Sequence, residues 1–477
     1  MNGSGRVMLV LPTRTYRASP FLAAADRLGI DVVIASNEPS SLAPFMEGRY
    51  LTVDLGRPEE GAQRAATLAR RRPLDAVLGV DESSVLTAAH IAAALGVRHN
   101  PVEAVKATRD KRLLRAALAW AGVSQPAFIE MTGDPQRVAD EVARAVGLPC
   151  VIKPVDGAAS WGVIRADDPD SLRAAAARVH ALLENPEAGP DGACRTGEHR
   201  PLLVEGFVPG PEVAVEGLLD EGELHVLAIF DKPDPMDGPY FEETLLITPS
   251  RLPPPRQQEV VDATRRAVAA LGLRHGPIHA ELRVGRSQPD VIEVASRSIG
   301  GHCARVLRFA GGASLEELIL RQALRMPLPD LRLGAGAAGV YMLPVPQHGI
   351  LERVRGVDVA RQLPDVDEVA ITIPPGEEVF PLPEGDRYLG FVFAHGGSPE
   401  SVETSLRSAR ALLEPDIRQR APGAEQPGNG SDGEQPQGGD PARRGGSTVS
   451  GVERDQQVEG QPTDHQGAER ASPLAPR

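Results

Sequence analysis

Short apolar runs separated by amphipathic stretches organise the first hundred residues. VMLVLP (7–12) is apolar throughout, FLAAADRLG (21–29) carries its apolar residues on one helical stripe, and DVVIAS (31–36) is apolar again. The alternation repeats in AQRAATLARRR (62–72), LDAVLGVD (74–81) and the Ala-rich VLTAAHIAAALG (85–96). Strands of this kind, alternating with helices ended by Gly, predict a parallel sheet with helices on both faces. No G-x-G-x-x-G follows the first strand, so a dinucleotide site of the usual kind is not expected. Asp81-Glu82 ends the third run, where it either faces a cleft or opens a helix.

From about Thr108 the periodicity becomes mixed. Helices are predicted over 109–123, 136–146, 170–183 and 256–271, and strands at CVIKPV (150–155), LLVEGFV (202–208), EVAVEGLL (212–219) and ELHVLAIFDKP (223–233). A polar insertion spans 184–200, and two further apolar runs are IHAELRV (278–284) and DVIEVASRSIGG (290–301). GAGAAG (334–339) reads as a hinge into a smaller module with strands around VYMLPV, EVAITI and YLGFVFAHG and a helix at 398–413. From Ala421 onward there is no aromatic, Ile, Met or Cys, a composition that buries too little apolar surface to offset chain entropy. The expected divisions are a parallel α/β domain (1–105), a larger α+β domain (106–333), a small α+β module (334–415) and a disordered tail (416–477).

Composition narrows the function. A chain of 477 residues suits about three domains. With 51 Lys+Arg against 65 Asp+Glu, a formal charge of −14 argues against nucleic acid as the main ligand. Three dispersed cysteines, Cys150, Cys194 and Cys303, give no disulfide framework or metal knuckle and fit a reducing, cytoplasmic setting. No apolar run approaches the ~20 residues that span a bilayer, so no membrane partner is expected. VMLVLP is too short for a signal peptide and is read as a buried strand.

The candidate chemistry lies in the second half of this pattern. Glu281 and Glu293, twelve positions apart on two runs that should pair, can converge on a hard divalent ion, which takes oxygen ligands. Each alternates with apolar neighbours, which sets this reading against that of an ordinary acidic edge. Arg297 follows four positions after Glu293 and suits a bidentate grip on a carboxylate or phosphate; Gly300-Gly301 lets a substrate approach the backbone. Lys153 lies inside CVIKPV, and a buried lysine calls for an anion, of which a phosphate is one. The loop DGAASWGV (156–163) after it is small enough to close over phosphates through its N–H groups. Lys111 can add a second phosphate contact or simply be a solvated lysine. In EGFVPGPE, the backbone of Glu205 to Val208 can read an adenine edge and Glu212 can accept ribose hydroxyls; alone, these residues read more readily as a turn flanked by solvated glutamates. His279 and His302 are ambiguous between structure and site.

Taken in order, Lys111, Lys153 with its loop, Glu205-x-x-Val208-x-x-x-Glu212, Glu281, Glu293 and Arg297 resemble the ATP-grasp superfamily over roughly residues 1–415. FDKPDPMDGPYFEETLLITPS (230–250), GPIHAELR (276–283) and EVASRSIGGH (293–302) are most similar to carboxylate–amine ligases, including the L-amino-acid ligases that make dipeptides. The resemblance implies an ATP-grasp fold: an N-terminal parallel α/β domain, a two-lobed ATP-grasp domain and a small C-terminal α+β module. It implies that Lys111 and Lys153 hold ATP phosphates, that the Glu205 carbonyl and Val208 amide read adenine, and that Glu212 binds ribose. It implies further that Glu281 and Glu293 coordinate Mg2+, or Mn2+ in its place, and that Arg297 orients the carboxylate substrate. The expected activity is amide formation between small-molecule carboxylate and amine substrates through an acylphosphate, in a chain that can be a homodimer. Relatives using bicarbonate or a nucleotide precursor, and a non-catalytic ATP-binding protein, are the alternatives. One departure stands out: many members carry Asn two positions after the second metal glutamate, and here that position is Ala295.

Overall fold

In the computed structural model the described residues are 5–419, apart from 42, 47 and 186–200. The first sheet has four parallel strands in the order Tyr50–Thr52, Asp31–Ser36, Arg6–Val10 and Ala76–Gly79. Its central strand explains the unbroken apolar run that opens the chain. Val7 and Leu9 enter one core, Met8 and Val10 another on the opposite face, and all four are fully buried. The winding reverses between Arg6–Val10 and Ala76–Gly79, so the loops after these strands, 12–17 and 81–83, border a crevice.

Residues 128–185 and 201–206 build a smaller lobe. Its antiparallel sheet runs Phe128–Met131, Leu202–Gly206, Cys150–Pro154, Ile164–Ala166, covered by helices Pro135–Val146 and Pro169–Glu184. Ile152, Leu172, Val179 and Val204 form its own core. The lobe joins the body through two connections, and in the second Gly210 has φ +118°. A Cβ there would lie 3.0 Å from the Val284 carbonyl oxygen, so the turn between Pro209 and Pro211 requires glycine.

The body is one antiparallel sheet of eight strands. Its order is Asp290–Ala295, Gly276–Arg283, Glu212–Asp220, Glu223–Lys232, Leu245–Thr248, Ala337–Leu343, Gly390–Gly396 and Val366–Ile371. The expected hinge at 334–339 is therefore corrected: Ala337 to Gly339 are already strand, and the C-terminal module's strands extend the sheet of the preceding domain. Strand Glu414–Arg418 also runs past residue 415, so the module reaches Arg418. Most of the expected disordered tail, 420–477, and most of the polar insertion lie outside the described residues. The helix predicted from 109 begins instead at Lys111, because Asp110 is extended and its carboxylate accepts the Arg112 N–H.

One buried charge cluster joins the lobe to the body. Arg115, on helix Lys111–Trp120, has a fully buried side chain; its Nε donates to Glu205 Oε1 at 2.6 Å. Lys153 Nζ meets the other oxygen of Glu205 at 2.6 Å. Arg115 also donates to the carbonyls of Val291 (3.0 Å) and Ile292 (2.6 Å). Ile292 is the extra residue of a bulge, since Glu281 pairs with Glu293 while Leu282 pairs with Val291. Burial alone would raise the Glu205 carboxyl, but Arg115 and Lys153 override it and hold its pKa at about 2. Glu205→Gln strands two buried cations and should cost about 3–5 kcal/mol in urea unfolding at neutral pH. Because the folded pKa lies below the ordinary 4.5, this contribution is present above that value and fades as pH falls towards about 2. The gap between wild type and variant should accordingly narrow at about pH 3.

Candidate active site

A cleft of ≈1320 Å³ opens between the lobe, the body and the first sheet. It exceeds the roughly 300–1,000 Å³ of a typical small-molecule pocket, leaving room for more than one ligand. Lys111, Lys153, Glu205, Val208, Glu212, Glu281, Glu293 and Arg297, the residues singled out from the sequence, all line it. So do Asp81 and Glu82, which settles the choice between cleft and plain helix start in favour of the cleft.

Loop 156–163 forms one wall. Ala159 and Ser160 adopt left-handed backbone (φ 58° and 55°), and the N–H groups of Gly157 to Ser160 have no backbone carbonyl partner among the described residues. Trp161 is buried in the same loop, and its Nε1 is a buried donor with no partner among the described residues. Such a run of backbone donors fits an anion, although the Asp156 carboxylate lines the cleft beside it. Lys111 Nζ donates to the Gly157 carbonyl at 3.0 Å and is thereby anchored beside the loop. The anion expected for Lys153 is supplied by the chain itself, as Glu205. Burial lowers the Lys153 pKa and Glu205 opposes that effect. Past Glu205, the N–H groups of Gly206 and Phe207 are taken by Ala127 and Pro149 carbonyls, whereas the Val208 N–H has no backbone partner among the described residues.

The floor holds a cluster that sequence reading did not assemble. Lys232 Nζ lies 2.7 Å from Glu212 and 3.0 Å from Glu281 and also contacts Glu243. Arg283 Nε takes the second oxygen of Glu212 at 2.7 Å, so the carboxylate expected to accept ribose already has both oxygens engaged. Burial disfavours the Lys232 charge, but its three carboxylate neighbours raise its pKa well above the ordinary value. Glu243 is shifted the other way: burial, then its neighbour Glu281, outweigh Lys232 and lift its pKa to about 7. Glu212, Glu243 and Glu281 each offer an oxygen within 4.8 Å of the others, an acidic nest filled by the ammonium of Lys232. Lys232 and Glu243 left little trace in the sequence beyond a lysine at the end of an otherwise apolar run and a glutamate in FEET.

Glu281 and Glu293 are directly opposed on adjacent antiparallel strands, so their side chains share the cleft face. Glu293 makes no side-chain hydrogen bond or ion pair among the described residues, which leaves its oxygens open to a hard cation. Ala295, where many ATP-grasp members carry Asn, is paired across the strands with His279. His279 Nδ1 meets Glu216 at 2.5 Å and Nε2 meets Glu281 at 3.3 Å, so a histidine ambiguous in the sequence steadies the metal-candidate carboxylate. The other oxygen of Glu216 accepts the Ile299 N–H at 3.1 Å, tying this relay to the segment after Arg297. Arg297 is itself aimed by Glu82, Nε to Oε2 at 2.8 Å, and its Nη1 donates to the Ser298 carbonyl. Burial would raise the Glu82 carboxyl, but Arg297, Arg109 and Lys111 hold it below the usual range.

Three family models match stretches of the chain. An ATP-grasp N-terminal domain matches residues 22–99, an ATP-grasp domain 146–306, and L-amino acid ligase C-terminal domain 2 residues 341–418. The crystal structure of L-amino acid ligase from Bacillus licheniformis superposes with a TM-score of 0.73 at 26% identity, covering 88% of this chain and 100% of that one. Alanine–anticapsin ligase of Bacillus subtilis is 28% identical over 56% of this chain and 58% of its own length. Carnosine synthase 1 of Gallus gallus is 29% identical over 68% of this chain and 36% of its own. The chain thus spans less than two thirds of either curated ligase.

Removing His279 tests the relay. His279→Ala leaves Glu216 buried without its cation and should cost about 3–5 kcal/mol of stability in denaturant unfolding, with His279→Gln losing less because it keeps a hydrogen bond.

Proposed function

We propose that this chain, which is similar to the L-amino-acid ligases of the ATP-grasp superfamily, is an ATP-dependent ligase that forms a C–N bond between two amino acids, or close analogues, through an acylphosphate. The observation that carries this reading is the single cleft in which loop 156–163, Lys111, Lys153, the opposed Glu281 and Glu293, and Arg297 all meet.

In the proposed reaction a carboxylate oxygen attacks the γ-phosphorus of ATP. An O–P bond forms and the bond to ADP breaks. The amine then attacks the acyl carbon, a C–N bond forms, the C–O bond to phosphate breaks, and the amine gives up a proton. Lys111, Lys153 and the N–H groups of 157–160 hold the phosphates. The Glu205 carbonyl and Val208 N–H bracket the adenine edge, consistent with the unpaired Val208 amide. Glu212 faces the ribose while shared with Lys232 and Arg283. Arg297, aimed by Glu82, orients the substrate carboxylate and stabilises charge as it develops. Glu281 and Glu293 would hold Mg2+, or Mn2+ in its place, which when bound supplies positive charge to the transferring phosphoryl group. Loop 156–163 keeps water from the acylphosphate.

The decisive experiment is ADP release with Mg-ATP across a matrix of amino-acid pairs, with amide products identified by mass. Amino-acid-stimulated release with one amide formed per ADP is expected. Nucleotide binding without such stimulation would sink the reading. Glu293→Gln should lower stimulated ADP release roughly a hundredfold or more. An unchanged rate would remove Glu293 from the metal site.

A further inference from the structure

Loop 156–163 is carried by the small lobe, which has its own sheet and core and joins the body through two chain connections. Besides those connections, the Ile164–Tyr240 bridge and the Arg165 Nη1 bond to the Asp237 carbonyl, the lobe meets the cleft rim at three further points. The Gly162 N–H donates to the Pro383 carbonyl at 3.1 Å, and the Arg165 N–H to that of Pro239 at 2.8 Å. The third point is Arg178, on helix Pro169–Glu184. Its Nε and Nη2 grip the Glu384 carboxylate at 2.6 and 2.9 Å, and its Nη1 donates to the Tyr240 hydroxyl at 2.5 Å. This one side chain therefore touches two segments of the cleft rim. Tyr240 lies in the loop that carries Glu243, and Glu384 shortly precedes Asp386, Arg387 and Tyr388, which line the cleft. Gly162 has φ +68°, and a Cβ there would come 2.9 Å from Pro154, so the backbone at the Pro383 contact is specified as well.

We propose that Arg178 and Glu384 are positioning residues that latch the small lobe, and with it loop 156–163, onto the rim supplied by the C-terminal module, so that ATP cleavage stays coupled to amide formation. The coupling role rests on the ligase reading above; the latch itself rests on geometry alone. Glu384 and Arg178 are 33% and 43% exposed, and an ion pair this open contributes little to global stability. Its effect belongs to where the loop sits. An unlatched loop admits water, and the acylphosphate is then lost to hydrolysis, giving ADP and phosphate with the carboxylate regenerated.

The test uses the full chain as wild type, Arg178→Ala, Glu384→Ala and the charge-swapped pair Arg178→Glu with Glu384→Arg. Hydrogen exchange of the peptide containing the Gly162 amide, measured with bound Mg-ADP, should speed up by roughly threefold to tenfold in each alanine variant and recover towards wild type in the swap. The ratio of ADP to amide should rise by a similar factor in the alanine variants, while melting temperatures stay close to wild type. Unchanged exchange would overturn the latch. Faster exchange with an unchanged ratio would overturn its coupling role. If wild type forms no amide from any pair, the ligase reading falls and the coupling role with it, while exchange still decides the latch.

Discussion

One carboxylate, Glu205, lies between two buried cations, and the parts that form the cleft come together around it. Arg115 arrives from the helix leading into the small lobe, Lys153 from that lobe's central strand, and the bulge at Ile292 from the body, through Arg115. Buried ion pairs contribute little net stability against apolar replacements of the same shape, yet breaking one is costly because the survivor is left unpaired. The cluster therefore acts as a specification. It ties Lys153 to the body, in the same cleft that loop 156–163 and the two opposed glutamates line.

The same logic extends along the cleft. Lys232 is surrounded by Glu212, Glu243 and Glu281, Arg283 is held by Glu212, Arg297 by Glu82 and Arg17 by Asp81. Many of the cleft's cations are thus already matched to carboxylates of the chain. A polyanion entering such a site gains less from those cations than their number suggests, and a divalent ion carried in with it balances the excess charge. Glu293, which makes no side-chain hydrogen bond or ion pair among the described residues, is the residue proposed above to hold that ion with Glu281. The first sheet contributes through its loops, because Glu82 sets the direction of Arg297 from the crevice where the strand winding reverses.

Much of this was legible in the chain, and the boundary falls where physics puts it. The central run VMLVLP fixed a doubly covered strand, since each of its buried residues needs a partner on its own face. Twelve positions and one turn separate Glu281 from Glu293, a spacing that sets them opposite once the strands pair. The apolar run around Lys153 calls for an anion, but its partner lies 52 positions away in another strand, and the counter-ion is protein. Lys232, Glu243 and Arg115 carry no local signal, because each is defined by neighbours from distant segments. The hinge expected at GAGAAG failed for a related reason: small residues suit a flexible joint and an interior strand packed closely on a helix equally well. A Cβ on Gly339 would meet Leu406 and Val402 at 2.9 Å, so the helix lies directly against it.

By itself the sequence determined the periodic elements, the parallel first sheet and the ordered set of acidic, basic and glycine-rich positions, because these depend on local pattern and short spacing. Tertiary structure alone decided which charges are paired and which remain open to a ligand, how the C-terminal strands merge into the body's sheet, and that Arg178 bridges two segments of the rim. Those outcomes depend on side chains tens to hundreds of residues apart meeting in a low-dielectric interior or across a cleft, and no local pattern encodes such a meeting.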